Sequence, residues 1–197
     1  YGVPREWFAG AHELEARDSA FYANMDLNIP DMYGYTSNAR VVILDACFNG
    51  AFNNDDYIAG YWIFNPGETM VVKANTVNTL QDTWTNELIG LLNAGVCFGN
   101  WAKGQLTLES HLFGDASFRF ANAYPKLDLD KAMVTRRGDS KYWKKLLNHS
   151  NCDIRALAIK TLSETNAITS QEILNIQRDS ESPIVRLEAF MSLKRRA

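Results

Sequence analysis

Cys47 stands between an unbroken apolar run, Val41-Val42-Ile43-Leu44, and a turn signal, Asn49-Gly50. A thiolate is a strong nucleophile, but a free thiol with a pKa of about 8.5 is mostly protonated at neutral pH. A cysteine that attacks carbonyl carbon therefore needs a base to take its proton, and donors for the oxyanion that forms. A sharp turn at Asn49-Gly50 would direct backbone N–H groups toward such an oxyanion. The base has three possible sources in this chain, His12, His111 and His149. Only His12 precedes Cys47, by 35 residues. His111 and His149 read as structural, the first near a strand start and the second at a helix end. The bland alternative for Cys47 is a small hydrophobe packed in the core.

A thiol acts only where the surrounding chain holds it. Four consecutive apolar residues, the first three β-branched, predict a strand over 40–47 that is buried on both faces. Its carboxyl end is the edge at which open α/β sheets bind ligands. Thr69-Met70-Val71-Val72-Lys73-Ala74 predicts a second buried strand, and Phe113-Gly114-Asp115 the start of a last short one. Residues 11–25 have helical spacing through Leu14, Phe21 and Met25, ended by Asn28-Ile29-Pro30-Asp31. Residues 55–64 suit a short helix or strand, and Pro66-Gly67 is a turn. Thr85 to Asn93 predicts a helix with Leu88, Leu91 and Leu92 on one face and Thr85 as N-cap. Val96 to Trp101 continues that helix or turns away. The fold class expected is α/β, a sheet flanked by helices.

After Leu127 aromatic residues thin out and helix formers dominate. Ile154, Arg155, Ala158 and Leu162 recur as Val185, Arg186, Ala189 and Leu193, each 31 residues on. That is an internal repeat of helical pairs, and small Ala158 and Ala189 let neighbouring helices approach closely. Two repeats rarely stand alone, so these should pack on the preceding domain or continue into further residues.

Three segments together resemble a known family. Asp45-Ala46-Cys47-Phe48-Asn49-Gly50-Ala51-Phe52 resembles the nucleophile segment of gingipain-like cysteine peptidases, of the caspase-like clan. His111-Leu112-Phe113-Gly114-Asp115-Ala116-Ser117 is similar to the strand that follows the nucleophile there, with Ala116 in place of the usual proline. Ala74-Asn75-Thr76-Val77 with Gln81-Asp82-Thr83-Trp84 resembles the segment that carries a specificity-pocket tryptophan. The resemblance implies a caspase-like peptidase domain over 1–125, incomplete at its amino end, in which Cys47 is the nucleophile of a Cys–His dyad. Gly2-Val3-Pro4-Arg5-Glu6-Trp7-Phe8 resembles the stretch after the family's His-Gly pair, so the dyad histidine would precede Tyr1, with the Gly2 N–H in the oxyanion hole. His12 is the alternative base, and a pseudo-enzyme without a dyad the third. Trp84 would line the substrate pocket. Asp82 and Glu87 would suit a basic substrate side chain, and Asp45 would orient the loop around Cys47. The repeat over 138–197 resembles HEAT-type helical repeats and would dock a protein partner. No cofactor is implied. The family points to a bacterial exported or envelope location, while the repeats suit an intracellular signalling protease as well.

Composition narrows the remaining classes. The chain has 46% hydrophobic and 22% charged residues and a net charge of −3, ordinary for a globular protein. Weak acidity argues against a nucleic-acid binder, and Arg136-Arg137, Lys144-Lys145 and Lys194-Arg195-Arg196 read as solvated helix faces. No apolar run approaches a membrane span. Three widely spaced cysteines give neither a CxxC zinc spacing nor a disulfide framework. Asn148-His149-Ser150 matches the glycosylation sequon, a frequent chance pattern. There is no signal peptide at Tyr1, and the opening does not look like a natural start, so the chain is expected to be the back part of a longer protein.

Overall fold

The computed structural model describes residues 6, 9–23, 25, 27–79, 86–104 and 107–196. They form a mixed α/β fold with a three-stranded sheet and eight α-helices.

The sheet is organised around its middle strand. β2 (Val71–Asn75) is buried along its whole length. β1 (Val41–Ile43) runs parallel to it, with Val41 opposite Val71 and Ile43 opposite Lys73. Parallel neighbours need a crossover, which α2 (Ile58–Phe64) supplies. β3 (Ser110–Gly114) runs antiparallel on the other side, with His111 opposite Ala74. Side chains alternate between the two faces. Val72 and Ala74 pack under α2 with Ala59, Val42, Leu44, Trp62 and Phe113. Val71, with Val41, Ile43 and Leu112, faces a larger apolar cluster.

The strand containing Val41–Ile43 was expected to be buried on both faces, but it borders the described sheet and is only half-buried. Its apolar run reflects partial cover on each side. The second expected strand is β2, the fully buried one. Phe113-Gly114 ends the last strand instead of starting it, because Gly114 adopts φ 91 and breaks the extended backbone.

Leu88 sits at φ 55, a left-handed conformation that cannot begin an α-helix. The expected helix over 85–93 is thereby shortened to a 3-10 helix, Ile89–Ala94, closed by Gly95 at φ 72. Leu88, Leu91 and Leu92 are buried as their spacing required. Thr85 lies outside the described residues. α3 (Phe98–Ala102) follows, and its Trp101 indole donates to the Glu87 carbonyl at 2.9 Å.

α1 (Ala11–Ala23) forms where expected, but Leu14, Phe21 and Met25 are all exposed. Interleaved charges at Glu13, Glu15, Arg17 and Asp18 leave that helix no continuous apolar stripe.

The carboxyl-terminal part is helical: α4 (Leu129–Thr135), α5 (Ser140–Leu146), α6 (Cys152–Glu164), α7 (Ser170–Asp179) and α8 (Pro183–Lys194). Each begins at a side-chain cap. Asp128, Asp139, Asn151, Thr169 and Ser182 accept hydrogen bonds from first-turn N–H groups. Such caps contribute about 1 kcal/mol each. The 31-residue recurrence maps onto α6 and α8, which pack directly on each other. Ala158 and Ala189 are fully buried, as close helix approach requires. The two segments share one core: Val71, Leu91 and Trp101 lie in the same cluster as Leu129, Trp143, Ile154, Leu162 and Val185. Among the described residues no helix is long and apolar enough to cross a membrane.

Candidate functional site

Beyond Ile43 the chain stays with β2 for one more hydrogen bond, from the Leu44 N–H to the Lys73 carbonyl at 2.8 Å. It then turns through residues 46–50 at the edge where β1 and β2 end. Phe48, at φ 58, takes a left-handed conformation that a bulky side chain rarely adopts. The surrounding contacts hold it there. The Phe48 N–H donates to the Val77 carbonyl at 3.2 Å, and the Gly50 N–H to the Asn75 carbonyl at 2.8 Å. Gly50 is set by close approach, since a Cβ there would lie 2.8 Å from Ala74 Cβ and 3.1 Å from the Ala74 carbonyl carbon.

Asn75, the last residue of β2, is 3% exposed and serves as the hub of this edge. Its N–H donates to Asn49 Oδ1 at 3.0 Å, and its Nδ2 to the Ala46 carbonyl at 3.4 Å. Its Oδ1 accepts from Ser110 Oγ at 2.7 Å. One side chain thus ties the Cys47 turn, β2 and β3 together. Reading the sequence quoted Asn75 within a segment but gave it no role. A polar residue closing a buried apolar run was the available signal.

Cys47 is exposed, so it is not a packed small hydrophobe. Its Sγ accepts the Thr79 N–H at 3.2 Å. The Thr79 hydroxyl is buried with no hydrogen-bond partner among the described residues. Phe48, Phe52 and Val77 are exposed apolar side chains on the same chain segments. Lys73, 2% exposed, lies one strand away; burial pushes its amine down, and Asp45 partly offsets that. Asp45 therefore acts electrostatically on a buried cation next to the turn.

The three histidines fall in different places. His12 projects from α1, with its side chain fully exposed and its Nδ1 3.9 Å from the Glu15 carboxylate. His111 opens β3, and because β3 is antiparallel it lies at the same sheet edge as the Cys47 turn. Its ring meets Phe52 edge-on at 5.3 Å. His149 Nδ1 accepts the Asn151 N–H at 3.0 Å, and the ring packs on Tyr124 beside the start of α6. Among the described residues none of the three hydrogen-bonds Cys47. Gly2, Asp82 and Trp84 lie outside the described residues. Glu87 pairs with Lys160 of α6 at 3.6 Å, between sheet and helices.

The other thiols are half-buried, and burial pushes the Cys97 thiol up. Among the described residues no group of three or more His, Cys, Asp or Glu side chains converges as a metal site. A cavity of about 340 Å³ opens between the 3-10 helix Ile89–Ala94, α3, α4 and α6, lined by Leu88, Trp101, Met133 and Lys160, and Cys47 is not part of it. No protein-family model, curated protein or solved structure matches this chain.

Proposed function

We propose that this chain carries the nucleophile of a cysteine endopeptidase of gingipain type, within the caspase-like clan. The observation that carries the reading is the exposed Cys47 sulfur on a clamped turn at the carboxyl edge of β1, with a backbone N–H directed at it. The parallel β1–α2–β2 arrangement ending at that thiol supports a caspase-like sheet. The succession α5 to α8, with α6 and α7 each packed on α8, supports HEAT-like repeats, which would dock a protein partner.

In this reading an imidazole takes the Cys47 proton, and the sulfur adds to the scissile carbonyl carbon. The imidazolium then protonates the leaving amine as the C–N bond breaks, leaving a thioester. Water attacks the thioester, giving its proton to the imidazole, and release of the carboxylic acid regenerates the thiol. By the resemblance, the imidazole precedes Tyr1 and the Gly2 N–H joins the oxyanion donors. Trp84 and Asp82 shape the substrate pocket.

The second reading is a pseudo-peptidase that works as a scaffold. It is favoured by the absence, among the described residues, of any imidazole hydrogen-bonded to Cys47. Peptide turnover by the intact protein separates the two. The peptidase reading expects cleavage that Cys47→Ala abolishes and His12→Ala leaves unchanged. Absence of turnover, or turnover that survives Cys47→Ala, rejects it.

A further inference from the structure

Glu188 of α8 is 1% exposed, yet it carries a carboxyl group. Its Oε1 accepts Ser192 Oγ at 2.9 Å and the Arg195 guanidinium. Its Oε2 is buried with no hydrogen-bond partner among the described residues. The charged groups that face it come from three elements. Glu87, in the turn ahead of the 3-10 helix Ile89–Ala94, brings a second carboxyl within hydrogen-bonding reach. Lys160 of α6 approaches, and its Nζ is 3.6 Å from Glu87 Oε1, with both side chains 16% exposed. Arg195 follows α8 itself.

Two ionised carboxylates placed face to face are both acceptors, and neither can satisfy the other. Burial makes that arrangement costlier, because a desolvated carboxylate oxygen without a donor loses its hydration and gains nothing in return. One proton removes the conflict: a protonated Glu188 carboxyl becomes a donor to Glu87, and the remaining single negative charge faces Lys160 and Arg195. We infer that Glu188 keeps a proton in the folded protein and donates it to Glu87, so that a shared proton fastens the terminal helix α8 to the sheet-bearing part of the chain and loosens as the pH rises.

Burial, with the Glu87 carboxyl adding to it, raises Glu188 to about 7 against the pull of Arg195 and Lys160. A carboxyl raised in the folded state binds more protons there than when released. The fastening is therefore complete below the ordinary glutamate value of 4.5, weakens as pH climbs from there, and is lost above about 7. If the opened state has an ordinary glutamate, the opening equilibrium of α8 rises about tenfold between pH 6 and pH 8.

Glu188→Gln tests this, because the amide is a permanent donor toward Glu87. The readout is hydrogen exchange of α8 amides between pH 5 and 8, corrected for intrinsic rates. The wild-type protein should open more readily with rising pH and Glu188→Gln should be flat, the difference cancelling His111 and His149. An equal pH slope in both proteins overturns the proposal. Should Glu188→Gln fail to fold, carbon NMR of the wild-type side chains decides: a Glu188 carboxyl titrating near 7 supports the shared proton, and one titrating near 4.5 overturns it. Neither readout depends on peptidase activity.

Discussion

The edge that carries Cys47 and the junction that holds Glu188 are organised by different buried polar groups, a neutral amide in one and a carboxyl in the other. At the edge, buried Asn75 has donor and acceptor groups engaged, the Thr79 hydroxyl has no partner among the described residues, and Cys47 is exposed. At the junction, the Glu188 carboxyl is enclosed and one of its oxygens has no hydrogen-bond partner among the described residues. The engaged Asn75 amide holds the Cys47 turn and β3 against β2. An unsaturated buried pair leaves room for one proton, and so responds to pH. The lesson is that the partners of a buried polar group, and not its burial alone, decide whether it holds a geometry or responds to pH.

Substitutions can break or sharpen that contrast. Asn75→Ala should have the largest effect, because it strips the Ala46 carbonyl and the buried Ser110 hydroxyl of their partner; we expect a loss of about 2–4 kcal/mol in urea denaturation. Gly50→Ala should cost about 1–3 kcal/mol in the same assay, since its Cβ would press on Ala74. Phe48→Gly should change sign and raise the unfolding free energy by up to about 1 kcal/mol, because glycine accepts φ 58 without strain. His12→Ala should fall within about 0.5 kcal/mol of wild type, as expected for a fully exposed side chain. If Asn75→Ala and His12→Ala prove equally mild, the edge is not a clamp and the contrast with the junction disappears.

Much of the scaffold could be read from residue pattern. The apolar run of β2 identified that strand because its burial is continuous, and the 31-residue recurrence identified α6 and α8 because Ala158 and Ala189 are both buried where the two helices pack. Residues 85–93 misled because Leu88, Leu91 and Leu92 have helical spacing, while a left-handed Leu88 turns the segment into a shorter 3-10 helix. β3 was placed too late because Ser110-His111 looks like loop, and only pairing with β2 makes it a strand. At the candidate site, Cys47 was marked by the apolar run before it and the Asn-Gly turn after it. Lys73 was not, because a polar residue within a strand sequence does not announce that it is buried, and Asn75 was signalled only by its place at the close of the apolar run. Glu188 was invisible for another reason: its partner Glu87 is 101 residues earlier, and only tertiary packing brings the two together.

The central claim concerns Cys47, and covalent labelling tests it most directly. The intact, folded protein would be treated with a peptidyl ketone electrophile near neutral pH and each cysteine mapped by mass spectrometry. Cys47 should be modified first, with half-buried Cys97, whose thiol is raised by burial, and half-buried Cys152 lagging well behind. Labelling of Cys97 or Cys152 at the same rate, or no adduct on Cys47, would contradict the account.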